Sequence, residues 1–253
     1  MSKKNLNKKL KILFKNLKIR KGDKILIHSN ISGLFQYYNT DKDNICNLFF
    51  VFLKKYIGKN GTIIIPTYNY KFTKKIRFDL KNTPSEVGYL GNHLLKKNWK
   101  KRTLDPVFSH IIYGNVGNFR QSKINTNAFG ADSLFSHVNK GKFKILCFCC
   151  PTNTITFIHY LEYIFKVPYR FLKKFSGKFI VNGNEQIITY DYYVGKKNYN
   201  YGLKENKINK FINNQNFLIS NFGKFQCFLI NTNYLYNKIK KNIKKDNKFL
   251  ITK

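Results

Sequence analysis

The chain has 253 residues, of which 47 are lysine or arginine and 12 are aspartate or glutamate, so its formal net charge is +35. This length suffices for a large core, and no linker rich in proline, glycine or serine divides residues 1–253, so we expect a single domain. The longest apolar runs fall well short of the roughly 20 residues that cross a bilayer, which excludes a membrane-spanning helix.

The N-terminal segment has apolar residues at helical spacing with lysines between them. This pattern predicts an amphipathic helix over about Leu6–Lys18, whereas a secretory signal peptide needs an unbroken apolar segment. We therefore expect the protein to stay in the cytoplasm. The apolar positions are Leu6, Leu10, Leu13, Phe14 and Leu17.

The elements that follow alternate between strand and helix, and they open with a β-α-β unit, which is typical of parallel or mixed sheets. Near the C-terminus, Asn182-Gly183 separates two short strands, and this pair suits the positive φ angles of a tight hairpin turn. The sequence thus predicts an α/β fold, with a mixed central sheet flanked by helices and an added C-terminal β-hairpin layer. The predicted elements are strand Lys24–His28, helix Ile45–Tyr56, strands Gly61–Pro66, Ser109–Tyr113 and Phe143–Cys149, and hairpin strands Gly177–Val181 and Gln186–Tyr192.

The positive charge raises the question of nucleic-acid binding, since it would attract phosphate polymers at low salt. The lysines, however, are scattered among many Asn, Ile, Phe and Tyr residues, which is the composition that an AT-rich genome imposes. No recognised nucleic-acid module occurs among them. We therefore expect no specific nucleic-acid partner.

The five cysteines form neither a disulfide framework nor a paired metal-binding motif, so we expect no metal. Cys147, Cys149 and Cys150 lie in an apolar strand, and Cys46 and Cys227 are isolated. Core thiols are the simpler interpretation. A nucleophilic Cys150 is the alternative, because it comes just before a polar turn.

The most informative segment runs from Ile145 to Tyr163, where an apolar strand ends at Pro151 and a helix begins after a polar turn. Asn153 and Thr154 are predicted to cap this helix. His159 and Glu162 are three positions apart and so share one helical face. A histidine beside a carboxylate suits general-base chemistry, and the crevice beyond strand ends is where open α/β sheets hold ligands.

Six motifs in one order resemble the aminoglycoside 3-N-acetyltransferase family, whose patterns include HSSLSxLG, TPSxMG, RSxHPxxSFxxxG, FGxxSPL and NTSxHxxE. The resemblance covers most of the chain and continues into a closing strand and helix near the C-terminus. The matching segments are His28–Gly33, the strand that ends at Pro66-Thr67, Thr83–Gly88, Arg102–Ser109, Phe129–Leu134 and Asn153–Glu162.

The resemblance implies roles for particular residues. It makes His159 and Glu162 the catalytic pair, and it implies that acetyl-CoA or another acyl-CoA is the co-substrate. The residues expected to bind the cofactor are Ser29, Asn30, Ile31, Ser32, Arg102 and Ser109. The residues expected to bind the acceptor are Tyr68, Glu86, Asp105 and Thr156.

Three of these positions carry alternatives. Arg102 can hold a phosphate or form a structural salt bridge. Asp105 stands where the family has histidine, and a carboxylate there would meet an ammonium group or a sugar hydroxyl. Thr156 can cap the helix or line the pocket.

The resemblance implies a sequential mechanism without a covalent acyl-enzyme, in which a neutral amine attacks the thioester while His159 takes its proton. A +35 protein suits a polyanionic acceptor better than a polycationic antibiotic, so we expect a nucleotide-linked 3-amino-deoxyhexose used for surface polysaccharide. The alternatives are an aminoglycoside 3-N-acetyltransferase and an inactive nucleic-acid-binding protein on the same fold. The acyl group is not specified, and a homo-oligomer is left open.

Overall fold

The computed structural model describes residues 2–117, 119, 123–199 and 205–251. Helices and strands alternate through its first half, as the sequence predicts. In chain order they are α1 (Lys3–Asn16), β1 (Lys24–Ser29), α2 (Lys42–Ile57), β2 (Thr62–Pro66), β3 (Phe78–Asp79), α3 (Tyr89–Asn98), β4 (His110–Tyr113), α4 (Leu134–Lys140), β5 (Lys144–Phe148), α5 (Phe157–Ile164), β6 (Arg170–Val181), β7 (Asn184–Gly195), α6 (Glu205–Asn209), β8 (Phe217–Phe222), β9 (Phe225–Asn231) and α7 (Thr232–Lys245).

Within the described residues, six strands form a central sheet in the order β4-β2-β1-β5-β9-β8. β1 pairs in parallel with β2 on one side and with β5 on the other, whereas the β2–β4, β5–β9 and β9–β8 pairs are antiparallel. The predicted mixed sheet is therefore confirmed. Because the chain leaves β1 toward β2 and later returns to its other side at β5, the strand order reverses at β1, which is where such sheets bind ligands.

Alternate residues of the central strands enter two separate cores. Ile25 and Ile27 of β1 pack in the core that includes residues of α1, α2 and α3, whereas Leu26 packs in the core that includes residues of α4, α5 and α7. Each fully buried side chain of this size contributes roughly 1.5–3 kcal/mol. The helices are thus held on both faces of the sheet. Among the described residues, none of the helices combines the length and apolar composition that a bilayer crossing requires.

β6 and β7 form the predicted hairpin, but it is longer than the sequence indicates, because each strand has 12 residues. At its turn, Asn182 and Gly183 have φ angles of 51° and 84°, the positive values that favour an Asn-Gly pair. β3 pairs in parallel with β6, so the hairpin belongs to a small second sheet. The added length starts at Arg170 and brings this residue close to α5.

The boundaries of α1 differ from the prediction because of its N-terminal cap. The Ser2 hydroxyl accepts a hydrogen bond from the backbone N–H of Asn5 at 3.3 Å, and the helix therefore begins at Lys3. It ends at Asn16, and Lys18 beyond it has a positive φ of 52°. The helix thus lies a few residues earlier than its apolar pattern predicts.

Candidate active site

A cleft of about 360 Å³ opens beside the carboxyl ends of β1, β2 and β5. Its volume lies in the range of small-molecule sites. β1 contributes His28 and Ser29 to the wall, and β2 contributes Ile65 and Pro66. The segment after β5 contributes a further group of residues, which ends at His159. The sheet therefore creates the predicted crevice.

His159 lies in this wall on the first turns of α5, and its side chain is 25% exposed. Its Nδ1 atom lies 2.7 Å from Oε2 of Glu162, which is completely buried. The two residues are adjacent because α5 places positions three apart on the same face. The predicted contact between imidazole and carboxylate is therefore present.

The Glu162 carboxylate has partners on both oxygens. Arg170 Nε lies 2.7 Å from Oε2, and the Tyr169 hydroxyl donates to Oε1 at 3.0 Å. Burial alone would raise the pKa of Glu162, but attraction to His159, the hydrogen bond from it and the nearby charge of Arg170 together lower this pKa below its ordinary value. Glu162 is therefore a carboxylate anion inside the protein.

This carboxylate determines how the imidazole is used. Arg170 Nη2 also lies 3.1 Å from His159 Nδ1, but an anionic acceptor at 2.7 Å is the stronger partner for an Nδ1–H group. With the proton on Nδ1, the lone pair of the neutral ring lies on Nε2. The arrangement can thus present a base to the cleft, and the carboxylate can stabilise the imidazolium that forms after proton transfer.

Three other predicted residues line the same cleft, namely Ser29, Tyr68 and Thr156. Ser29 is half-buried at the end of β1. Tyr68 is almost completely buried, and its hydroxyl lies 3.0 Å from Nε2 of His110. Thr156 stands at the start of α5, where its side chain makes no capping hydrogen bond. Of its two predicted roles, the structure therefore favours a place in the pocket wall.

The remainder of the predicted cofactor loop lies beside the cleft and outside its wall. Asn30 is exposed, and its Oδ1 accepts from the backbone N–H of Ser32 at 3.1 Å, which caps a 3₁₀ helix over Ile31–Gln36. Ser32 is exposed, whereas the Ile31 side chain packs in the core. Only Ser29 of these four residues forms part of the wall.

Arg102 and Ser109 are brought together away from the cleft. Arg102 is 2% exposed, and its guanidinium donates to the carbonyls of Thr67, Thr83 and Leu80 and to the Ser109 hydroxyl at 2.6–3.2 Å. Ser109 in turn donates to the Thr67 carbonyl at 2.7 Å. These contacts join the end of β2 to the following loops. They use carbonyl acceptors in place of the salt bridge that the sequence suggests.

Asp105 is also buried and lies outside the wall of the cleft. It accepts hydrogen bonds from the backbone N–H groups of Val107 and Phe108, from Asn125 and from the Tyr190 hydroxyl, at 2.6–2.9 Å. Burial raises the pKa of Asp105, and these hydrogen bonds oppose the rise only in part. The carboxyl group therefore connects the loop before β4 to the hairpin. It borders a separate cavity of about 260 Å³.

Glu86 lies at the rim of the cleft and is exposed. Its carboxylate accepts from the backbone N–H of Tyr70 at 2.5 Å, and Tyr70 forms part of the cleft wall. The next two residues, Val87 and Gly88, also line the cleft. Two carboxylates are expected to bind the acceptor, Glu86 and Asp105. Of these, Glu86 is the one that adjoins residues of the cleft wall.

Two sequence-based expectations after β5 are wrong. Asn153 and Thr154 do not cap α5, because this helix begins only at Phe157 and both residues line the cleft. The Thr154 hydroxyl donates to the Pro151 carbonyl at 2.7 Å instead. The interpretation of all five cysteines as core thiols also fails for Cys150, which is partly exposed in the cleft wall.

Some functional candidates were missed because their positions depend on tertiary structure. Arg170 lies outside the six motifs, and no local pattern indicates that it contacts Glu162. Gly88, within the Thr83–Gly88 motif, and Gly91 also line the cleft, where glycines allow close approach of the backbone. A Cβ at Gly91 would overlap the Pro66 carbonyl, so this glycine lets α3 pack against the end of β2.

Potential metal ligands are the subject of a further comparison of side-chain positions. Within residues 2–117, 119, 123–199 and 205–251, His, Cys, Asp and Glu side chains do not form a group of three or more with the arrangement of metal ligands.

Several solved structures have the same fold over nearly the whole chain. The "AAC-IIIb binary with CoASH" structure has a TM-score of 0.77 at 14% identity, covering 97% of this chain and 97% of that one. The sisomicin-bound AAC-VIa structure has a TM-score of 0.76 at 16% identity, with coverages of 97% and 98%. YokD from Bacillus subtilis has a TM-score of 0.76 at 17% identity, with coverages of 97% and 94%.

These likenesses establish the fold, and the family follows from the sequence itself. A search of curated protein sequences gave no significant match. A family model described as aminoglycoside 3-N-acetyltransferase, however, matches residues 26–244, which is most of the chain. The match agrees with the resemblance seen in the sequence motifs. The chain therefore belongs to the aminoglycoside 3-N-acetyltransferase family and is an acyl-CoA-dependent N-acyltransferase.

Proposed function

We propose that this enzyme acylates the amine of a nucleotide-linked amino sugar, a 3-amino-deoxyhexose used for surface polysaccharide. One observation carries the choice of acceptor: the described residues that line the cleft include the base His159 but no aspartate or glutamate. An acceptor with several ammonium groups would find no counter-charge in this wall. An acceptor with a single amine needs only the base.

The positions of the nearby carboxylates support this choice. Glu162 is buried against Arg170, and Asp105 is buried in hydrogen bonds that lie away from the cleft wall. Glu86, in contrast, is exposed at the rim. An aminoglycoside would therefore have to place most of its charges near basic or neutral groups, which is unfavourable in a protein of net charge +35.

Basic residues next to the cleft favour phosphate groups. Tyr70 lines the cleft, and the exposed segment that follows it contains Lys71, Lys74, Lys75 and Arg77. These cations create a positive potential that would attract a diphosphate-linked sugar and the phosphates of coenzyme A. Tyr70 itself is 36% exposed and offers an aromatic face to a sugar or a base.

Acyl-CoA supplies the activated acyl group when it is bound, and the cleft has features that fit it. We assign its phosphates to the loop that begins at Ser29, with Asn30 and Ser32 exposed at the surface beyond it. Gly88 widens the opposite wall, because a side chain at this position would project into space close only to the Ser29 carbonyl at 3.8 Å. A side chain at Gly88 would therefore narrow the cleft beside Ser29.

The chemical step that we propose is a direct transfer. His159 Nε2 accepts the proton of the attacking amine, while Glu162 keeps the imidazole oriented through Nδ1. Arg170 contacts the same oxygen of Glu162 as His159 does, and the Tyr169 hydroxyl donates to the other oxygen. A general base of this kind contributes roughly 10²–10⁴ in rate.

An aminoglycoside is the second candidate acceptor, and three observations favour it. The family model bears that name, and a structure of similar fold is bound to sisomicin. The exposed carboxylate of Glu86 is also available at the rim to meet one ammonium group. Only the acceptor differs between the two candidates, because both use the same base and the same acyl donor.

The sign of a salt effect separates these candidates. Thiol release from acetyl-CoA is measured with nucleotide amino sugars and with aminoglycosides over a range of potassium chloride concentrations. A nucleotide amino sugar should show a KM that rises with salt, since screening weakens its attraction to the lysines. A preferred aminoglycoside whose KM falls with salt would overturn the proposal.

A matched variant makes the test specific to the rim. Glu86→Gln removes the exposed carboxylate, and Glu185→Gln removes a partly exposed carboxylate that pairs with Lys178 on the hairpin. Glu86→Gln should leave turnover of the nucleotide amino sugar within a few fold and should impair turnover of an aminoglycoside, whereas Glu185→Gln should affect neither.

Tight, salt-sensitive DNA binding without thiol release from any amine would instead favour the nucleic-acid-binding alternative.

A further inference from the structure

Strand β7 lies at the edge of the second sheet, and part of its outer side is unpaired. The sheet has the order β3-β6-β7, so β6 covers one side of β7. On the other side, the Asp191 N–H donates to the Thr126 carbonyl at 2.8 Å, and the Asp191 carbonyl accepts from the Ala128 N–H at 2.9 Å. Among the described residues, β7 makes no other backbone–backbone hydrogen bond on this side.

The contact of Asp191 shows which backbone groups of β7 point outward. In an antiparallel strand, every second residue directs its N–H and C=O groups to the same side. Thr189, Ile187 and Glu185 therefore direct theirs to the outer side, as Asp191 does. All three residues are exposed, and Ile187 is 78% exposed, more than any other large apolar side chain in the described part of the chain. The strand thus presents unpaired backbone groups around an exposed isoleucine.

This edge lacks the features that usually keep strands of different molecules apart. Soluble proteins protect long edge strands with lysine, proline or a β-bulge. β7 runs for 12 residues, Asn184–Gly195, and contains no lysine, arginine or proline. It pairs with β6 residue for residue along its whole length, so no bulge interrupts the ladder. The outer side of β7 is therefore open to another strand.

We propose that β7 pairs with β7 of a second copy of the chain, antiparallel and around a two-fold axis at Ile187. This pairing is self-complementary, because Ile187 then faces Ile187 of the second copy, and Glu185 faces Thr189 of the second copy. The outward N–H and C=O groups of both strands are satisfied, and the two isoleucines cover each other. The two small sheets become one sheet of six strands.

The charges favour a second copy as the occupant of this edge. Two molecules of charge +35 repel each other, and β7 contributes no basic residue to the contact. Glu185 is paired with Lys178 of its own copy at 2.7 Å, and Thr189 opposite it is neutral, so the register brings no like charges together. A partner recognised through its negative charge would find no cation on this strand.

The active site is compatible with this dimer. The described residues that line the cleft include none from β7, so the cleft of each copy stays open. The inference is also independent of the acceptor, because its test needs no substrate.

Sedimentation equilibrium of the nuclease-treated enzyme measures the association. We expect a dimer at about 100 μM protein, since a contact of this size lies at the weak end of protein interfaces. The dimer should strengthen as potassium chloride is raised, because salt screens the repulsion between the copies. A monomer at every protein and salt concentration would overturn the inference. Association that weakens with salt would also overturn it, since bridging by residual nucleic acid behaves in that way.

Ile187→Lys tests the position of the axis. It places two cations opposite each other and should raise the dissociation constant at least about tenfold. Ile12→Lys is the matched control, because it adds the same charge at an exposed isoleucine of α1, and its dissociation constant should stay near that of the wild type. Circular dichroism should show both variants folded, since both side chains are exposed. Equal dissociation constants for the two variants would contradict the proposed axis.

Thr189→Glu and Thr189→Lys test the register. Position 189 faces Glu185 of the second copy, so glutamate there opposes a like charge and lysine an opposite charge. The dissociation constant should be at least about threefold higher for Thr189→Glu than for Thr189→Lys. Net charge alone predicts the reverse order, because an added lysine increases the repulsion between the copies. The reverse order would therefore overturn the pairing centred on Ile187.

Discussion

Nε of Arg170 lies 2.7 Å from Oε2 of Glu162, so a guanidinium at the start of β6 faces a carboxylate on α5. The same oxygen is 2.7 Å from Nδ1 of His159. The side chains of Glu162 and Arg170 are 0% and 10% exposed. This ion pair joins the second sheet to the helix that carries the proposed base, and it involves the first residue of β6.

Replacement of Arg170 by glutamine should impair both stability and turnover. It leaves a buried carboxylate with fewer partners, and breaking a buried pair in this way costs about 3–5 kcal/mol. We also expect a fall in kcat, since His159 loses part of its orientation, while the Kd of coenzyme A changes little. Urea denaturation and thiol-release kinetics measure the two effects.

Lys174→Gln is the matched control for this change, because it removes one positive charge from an exposed position on the same strand. It should leave both quantities near the wild-type values. An Arg170→Gln enzyme with wild-type stability and kcat would show that the ion pair has no positioning role.

Arg102 should contribute to folding and not to cofactor binding. Arg102→Lys cannot reach all the carbonyls that the guanidinium binds, and each buried acceptor left unsatisfied costs about 1–3 kcal/mol. We expect a loss of unfolding free energy of that size with little change in the Kd of coenzyme A. The comparison is with Arg77→Lys at an exposed site.

The reverse result would restore the role that the family resemblance implies for Arg102. A Kd for coenzyme A that rises tenfold or more in Arg102→Lys, together with unchanged stability, would mean that the guanidinium reaches a phosphate.

His28 and His110 predict a loss of stability in mild acid. Burial lowers the pKa of His28 from 6.5 to about 4, and burial together with the charge of His28 lowers that of His110 to about 3. Both stay neutral in the folded protein at pH 5–6, whereas the unfolded chain takes up protons below 6.5. The free-energy penalty for keeping them neutral is therefore absent above pH 6.5 and grows as the pH falls toward 4 for His28 and toward 3 for His110.

Chemical denaturation at pH 6 and pH 5 measures this effect. The two histidines together should lower the unfolding free energy by about 2 kcal/mol over this unit. His28→Asn should remove about half of the difference between the two pH values. An unchanged pH dependence in His28→Asn would mean that this histidine is already protonated, or equally exposed, in the folded state.

Local patterns predicted the parts of the fold that local chemistry determines. The strand Lys24–His28 ends one residue beyond its predicted limit, and Asn182-Gly183 forms the expected turn. His159 and Glu162 are close in space because a helix brings positions three apart together. In each case, the interaction that decides the structure lies within a few residues of the pattern that predicts it.

Contacts between residues that are far apart in the sequence determine the roles of Asp105 and Arg102, which the motifs did not predict. Asp105 is bound by Tyr190, which lies 85 positions away, and Arg102 binds carbonyls up to 35 positions away. No sequence spacing indicates such contacts. A charged residue within a motif is therefore compatible with a functional role and with a structural role. The residues that contact it in the folded protein decide between the two.

The role of His159 is the central claim, and turnover of His159→Gln tests it most directly. Thiol release from acetyl-CoA should be measured with the preferred amine at saturating concentrations, alongside the Kd of coenzyme A. We predict that kcat falls by about 10²–10⁴ while the Kd stays within a few fold, and that Glu162→Gln is less severe and shifts the pH optimum. A kcat near the wild-type value in His159→Gln would contradict the proposed mechanism.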